Sequence, residues 1–256
     1  MLRKRLTLTL LLISFLFSPL SLAGESNALP DFSAHSSSSA KKKAFFKYLY
    51  PIVRQANRDI LHERKQANEQ YQRFLQAEPV DMTLLSVLAN KYKLPHPTKQ
   101  NLDRAFFKKM LFRIDVIPPS LAMAQAANES AWGTSRFAIE GNNLFGQWCY
   151  REGCGIVPDR RKQHARHEVA KFRTTEQSVA SYMRNLNTQM AYRVFRLKRQ
   201  YLRDKNALMT GTEMADTLLS YSTRREAYIV EIKNLIRRNK LRQYDERFHR
   251  LLLARR

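Results

Sequence analysis

The sequence predicts a mainly α-helical protein with one small β-hairpin lobe, and three observations lead there. Apolar residues recur at helical spacing, most clearly Leu102, Phe106, Met110 and Ile114. Helix start signals are frequent, among them Ser120 and the capping-box pair Thr174 and Gln177. Period-two alternation is confined to the region between Phe145 and Phe172, where Glu168, Ala170 and Phe172 alternate with His167, Val169 and Lys171. With 256 residues, the chain holds one good-sized domain with appendages or two small ones.

The first residues read as a secretory signal. Arg3, Lys4 and Arg5 precede an apolar run over residues 6–17, followed by Pro19 and the small-residue site Ser21-Leu22-Ala23. The run is shorter than the roughly 20 residues a spanning helix needs, so removal of residues 1–23 is expected, with an inner-membrane signal-anchor as the alternative. The protein is then periplasmic or secreted. Residues 24–40 contain "SAHSSSSA" and no apolar period, the composition of a flexible linker. A helical region follows over residues 41–114. Its first helix runs from Lys41 to about Glu78, with Pro51 expected to kink or restart it, and its later portion, "HERKQANEQYQR", is polar nearly all round and expected to be partly exposed. Shorter helices are predicted over Asp81–Tyr92 and about Thr98–Ile114, separated by the turn "LPHPT".

A further domain is predicted over residues 115–245. Ser120 is the expected N-cap of a helix from Leu121 to about Ala131. Val179, Tyr182, Met183, Leu186 and Met190 mark another helix, and a last one covers Tyr228–Leu241. In "RVFRLKRQYLR", Val194, Leu197 and Tyr201 share a helical face amid basic residues; core packing with a solvated basic face and contact with an anionic surface both fit.

The charge balance is unusual. Forty-five Lys and Arg face 22 Asp and Glu, a formal charge of +23, which favours polyanionic partners. Export excludes nucleic acid as the natural partner and leaves a wall polymer or an anionic membrane surface. The two cysteines, Cys149 and Cys154, admit a small disulfide loop, free thiols, or a metal site shared with His164 and His167.

Glu129 draws attention by its place. It lies near the C-terminal end of its helix, in one row with Gln125, and Trp132 and Gly133 follow. Negative charge is disfavoured at a helix C-terminus, and an adjoining apolar wall desolvates it. Both effects raise a carboxyl pKa, as a general acid requires.

The stretch "LAMAQAANESAWGTSRFAIEGNNLFG" resembles the glucosaminidase-domain family of peptidoglycan hydrolases, which carry an alanine-rich helix ending in Glu-Ser, then Trp-Gly, Ser and Asn-Asn-Leu-Phe-Gly. With the Cys-Cys loop, the later "HEVAKFRTTEQSVASYMRNLN" and "YSTRREAYIVEIKNLIRRNKL" resemble the bacterial Bax group of that family. Asn128, where an apolar residue is frequent, and Ala131, where glycine is common, depart from the pattern. The resemblance implies a lysozyme-like helical domain with a small β lobe, no cofactor and no metal. It implies an endo-β-N-acetylglucosaminidase cleaving peptidoglycan strands with Glu129 as general acid. Trp132 and Phe145 would supply apolar surroundings, Asn142 and Asn143 would shape the turn leading back to the cleft, and Tyr221, in preference to Tyr228, would line it.

A glycosidase of this kind needs a second carboxyl. Of Glu140, Glu152, Asp159, Glu168 and Glu176, the extended segment presents Glu168 best, with Asp159 or the substrate's acetamido group as fallbacks. A wall-binding or anionic-surface module that keeps the cleft without the chemistry is the competing class.

Overall fold

A computed structural model describes residues 29–159, 161 and 164–253. The secretory signal expected over residues 1–23 lies outside the described residues. The stretch expected as a linker differs at its end. Asp31 caps a 3₁₀ turn at Phe32–Ala34, and Phe32 is buried edge-on against Phe45 and Tyr48. One aromatic anchor outweighs the surrounding serines.

Ser37 caps α1 (Ser38–Leu75), a helix of 38 residues. It passes through Pro51, which lies on its exposed side, so the expected restart does not occur. Beyond it come α2 (Met82–Lys91), capped by Asp81, and α3 (Arg104–Arg113), capped by Asp103. The second starts later than its apolar stripe suggests, because Thr98 and Asn101 close a local turn on each other first.

At the centre lies α4 (Pro119–Glu129), whose residues from Leu121 to Ala127 are all buried. A helix apolar all round must be covered on every side; α1, α8 (Gly211–Ala215), α9 (Arg225–Arg238) and α10 (Arg242–Leu253) do so. The four alanines among those residues let the neighbours approach closely. Each large side chain from them, Phe45 or Ile232 for instance, contributes about 1.5–3 kcal/mol on burial. Because α1 packs on α3, α4 and α6 (Thr175–Thr188), the region before residue 115 shares one core with the region after it.

Ser120 is not the N-cap. Pro118 holds that position without a capping side chain, and Asp245 of α10 substitutes from 125 residues away. Its carboxylate accepts from Ser120 N (2.9 Å), from Ser120 Oγ (2.5 Å) and from Gly211 N (2.9 Å), so one side chain caps α4 and α8 together. Burial raises the Asp245 pKa to about 6, against these hydrogen bonds. The helix α10 was not expected from the sequence.

Just before α4, Asp115 is buried among three guanidinium groups. Arg203 grips it with two nitrogens, Arg64 lies at 3.7 Å, and the wholly buried Arg199 at 4.0 Å. Arg199 also donates to the carbonyls of Phe112 (3.0 Å) and Asp115 (2.8 Å), where α3 ends and its dipole favours a cation. It comes from α7 (Arg193–Asp204), which reverses the expected pattern: Arg196 and Arg199 are buried, while Val194, Leu197 and Tyr201 are exposed. The buried guanidiniums bind carbonyl oxygens that α3 and α6 leave unpaired, and that demand outweighs the burial of three apolar side chains.

After α5 (Arg136–Gly141), three short strands form the lobe: β1 (Trp148–Cys149), β2 (Gly155–Ile156) and β3 (Glu168–Ala170). The last runs antiparallel between the other two, pairing Trp148 with Val169 and Gly155 with Ala170. A disulfide joins Cys149 to Cys154. A Cβ on Gly155 would sit 2.1 Å from the Val169 carbonyl oxygen, so only glycine fits there.

Candidate active site

Glu129 is the last residue of α4, and the backbone beyond it turns left-handed. Ala131, Trp132 and Gly133 take φ of 51°, 64° and 78°. Ser130 holds the turn: its Oγ donates to Ala126 O (2.6 Å) and accepts from Gly133 N (2.8 Å). At Ala131, where glycine is common in the family the motif resembles, a left-handed L-residue costs roughly 1–2 kcal/mol. Gly133 answers to a closer constraint, since a Cβ there would meet the Phe32 ring at 2.5 Å.

Above the carboxylate runs the loop 142–147. Asn142 ends α5 at φ 50°, and a Cβ placed on Gly146 would sit 3.8 Å from Glu129 Oε2. Asn143 is buried and has every polar site engaged. Its Nδ2 donates to Gln147 O (2.9 Å) and Ala170 O (2.8 Å), and its Oδ1 accepts from the amides of Phe145 (3.2 Å) and Gln147 (3.1 Å). This asparagine ties the loop to β3, which fixes the lobe over the end of α4.

Four tyrosines surround Glu129. Tyr182 of α6 donates to Gln125 Oε1 (2.6 Å), and Gln125 Nε2 donates to the Tyr228 oxygen (2.9 Å). With its oxygen accepting from Gln125, Tyr228 has its proton free to donate toward the Glu129 carboxylate, an interaction that favours the charged form of Glu129. Tyr221 stacks on Tyr228 at 5.4 Å, and Tyr192, in a 3₁₀ turn over Met190–Tyr192, lies 6.0 Å from Tyr221. Burial raises the pKa of all four hydroxyls, and the Glu129 charge adds to the rise. Burial in turn raises the pKa of Glu129. Hydrogen bonds from Tyr228 and Asn128 and the charge of Arg224 oppose the rise, and Glu231 adds to it. Beside Asn128, a cleft of about 620 Å³ opens between the end of α4 and α9, lined by Trp132, Arg224, Glu231 and Asn234 among others.

The other residues expected at the site fall into different surroundings. Trp132 is half-buried and packs edge-on against Phe45 and Phe46 of α1, with Lys42 Nζ 5.1 Å from its ring; one side lines the cleft. Phe145 is buried and stacks on Tyr182 at 4.0 Å. Tyr221 is half-buried, its hydroxyl donating to Phe145 O (3.4 Å). Glu168 does not stand open toward the cleft. Its carboxylate turns into the Cys149–Cys154 loop, Oε1 accepting from Gly153 N (3.0 Å) and Oε2 from Gly155 N (2.7 Å), and these amides lower its pKa. One of its oxygens lies within 4.8 Å of both cysteine sulfurs, but the disulfide leaves no thiolate there to hold a metal. Asp159 is exposed and paired with Arg136 at 3.0 Å.

Sequence reasoning missed Tyr228 as the direct partner of Glu129, and missed Tyr182 and Tyr192. The Gln125–Glu129 row was legible, and its spacing already implied that something must satisfy a buried amide. Trp148, 58% exposed and stacked on His167 at 4.1 Å, was also passed over, although it lies two residues after Gly146.

A family model described as mannosyl-glycoprotein endo-beta-N-acetylglucosaminidase matches residues 105–241. The chain is also similar to protein Bax of Escherichia coli strain K12, at 34% identity over 207 residues, 80% of this chain and 72% of that protein. No solved structure matches it.

Proposed function

Since the chain belongs to the glucosaminidase family of glycoside hydrolases, we propose that it is an endo-β-N-acetylglucosaminidase that cleaves peptidoglycan strands with Glu129 as general acid. The observation that carries this reading is the tyrosine surround of Glu129. Burial keeps its proton on at higher pH than an ordinary carboxyl, and the donor from Tyr228 both orients the group and stabilises the carboxylate left after proton transfer. The Tyr182–Gln125–Tyr228 line fixes which way that donor points.

For the second carboxylate we retain Glu168, on a different ground from the sequence reading. Two carboxyl groups whose surroundings push their pKa values apart suit the division between acid and anion. Glu129 is raised and Glu168 lowered. The two amides occupy one lone pair on each Glu168 oxygen, leaving capacity to bind a water. Trp148 offers an exposed ring on which a sugar can stack. The basic chain is held near an anionic wall with an affinity that falls as salt rises, and residues 1–23 direct it to the periplasm or outside the cell.

The deciding experiment digests purified glycan with the protein, reduces the products with borohydride and identifies the new reducing end by mass spectrometry. N-acetylglucosaminitol is expected. Muramitol ends would reassign the bond, and unaltered strands would leave a wall-binding protein.

A further inference from the structure

The inverted helix α7 borders a groove of about 550 Å³ that the proposed reaction does not use. Seven Lys or Arg side chains line it against two Asp. Three of them, Arg64, Arg199 and Arg203, turn to Asp115. Among the described residues no carboxylate pairs with the other four, Lys108, Lys109, Arg193 and Arg196. Arg196 is the unusual member. It is 2% exposed, gives two hydrogen bonds to the carbonyls of Leu186 and Gln189, and leaves its buried Nε without a partner. Burial, then repulsion from Arg113 and Arg193, lowers its pKa to about 10. A buried cation left uncompensated is costly, and an anion entering the groove supplies the missing charge.

Exposed apolar side chains stand on α7 and just before it. Met190, Val194, Leu197 and Tyr201 are between 42% and 71% exposed. The last three, on α7, follow spacings of three and four residues and so share one face, and Leu197 also lines the groove. A soluble polyanion would satisfy the cations but gives that stripe nothing to cover it. A lipid surface satisfies both, with phosphate headgroups at the basic groove and the apolar side chains in the acyl boundary. We infer that α7, with Lys108 and Lys109 of α3, is a docking face for a membrane bearing anionic phospholipid. The contact is peripheral, since among the described residues no helix is long and apolar enough to cross a membrane.

The test uses the full chain with Val194→Cys carrying an environment-sensitive fluorophore; the two native cysteines are held in their disulfide, so only the new thiol reacts. A blue shift is expected on phosphatidylglycerol vesicles and not on phosphatidylcholine vesicles. The same label at Val87, which is exposed on α2, should report none. That local readout separates docking of α7 from any attachment through residues 1–23. Lys108→Gln/Lys109→Gln/Arg193→Gln, all exposed positions, should weaken the response about fivefold per cation, roughly 100-fold together, and added salt should weaken it further. No shift at position 194, an equal shift on neutral vesicles, or a shift untouched by the triple substitution would each overturn the inference. So would retention on a phosphate-bearing wall polymer with no change in emission, which would assign the groove to that polymer.

Discussion

Asp115 and Glu129 flank the same central helix, one just before its start and one at its end, and they are the same chemical group in opposite settings. Three guanidiniums around Asp115 hold its carboxyl down to about 2 in spite of complete burial. Around Glu129 stand tyrosine rings and hydroxyls, and there burial wins and the pKa rises. The difference teaches what each surround is for. Full charges make a carboxylate permanent and structural, whereas neutral dipoles leave it able to hold and release a proton. In a chain with so many arginines, excluding them from contact with Glu129 matters as much as supplying the tyrosines.

The largest effect comes from removing the proton itself. Glu129→Gln keeps the shape and the neutral state, so turnover should fall roughly 100-fold to 10,000-fold with an unchanged melting temperature. Clearing of a wall-containing gel at near wild-type strength would sink the assignment. Asp115→Asn should do the reverse, leaving the reacting groups intact and destabilising the fold by about 3–5 kcal/mol, because Arg199 stays buried without its counter-charge; urea unfolding measures it. The wild-type pH dependence carries the same information. A carboxyl whose folded pKa lies below its unfolded value near 3.8 contributes stability above that value and loses it as pH falls, here about 2 kcal/mol between pH 4 and pH 2. A flat profile over that range would deny Asp115 its role.

Glu168→Gln should lower turnover by about 100-fold. Partial rescue by added formate or azide would mark a missing reacting anion, and a loss that no small anion restores would reduce Glu168 to an anchor for the Gly153 and Gly155 amides. Tyr228→Phe is the mildest. Loss of one hydrogen bond should cost about twofold to tenfold in rate. It removes an interaction that favours the charged form, so the Glu129 pKa rises further and the alkaline limb of kcat/KM moves to higher pH. A limb that stays still or moves down would mean that Tyr228 does not donate to Glu129.

What the sequence made legible obeys local rules. The stripe of α3, the cap of α6 and the placement of Glu129 at a helix end all depend on residues within a turn or two of one another. The polar clamps were not legible, because Asp115 meets Arg203 and Ser120 meets Asp245 across 88 and 125 positions. The inversion of α7 escaped because apolar periodicity assumes that arginine faces water. Its buried guanidiniums serve carbonyls whose position is known only once α3 and α6 are packed. Tyr221 and Tyr228 lie seven residues apart and stack on each other, so the sequence could point to the pair without telling which hydroxyl reaches the carboxylate.

The clamp by Asp245 sets an order of events in the life of each molecule. A chain emerging from its N-terminus makes the helix that carries Glu129 more than a hundred residues before the side chain that fastens the start of that helix. Until residue 245 has been delivered, α4 lacks its borrowed cap and α8 lacks its tether. The start of the helix that carries Glu129 is thus fastened only once nearly the whole chain has been made.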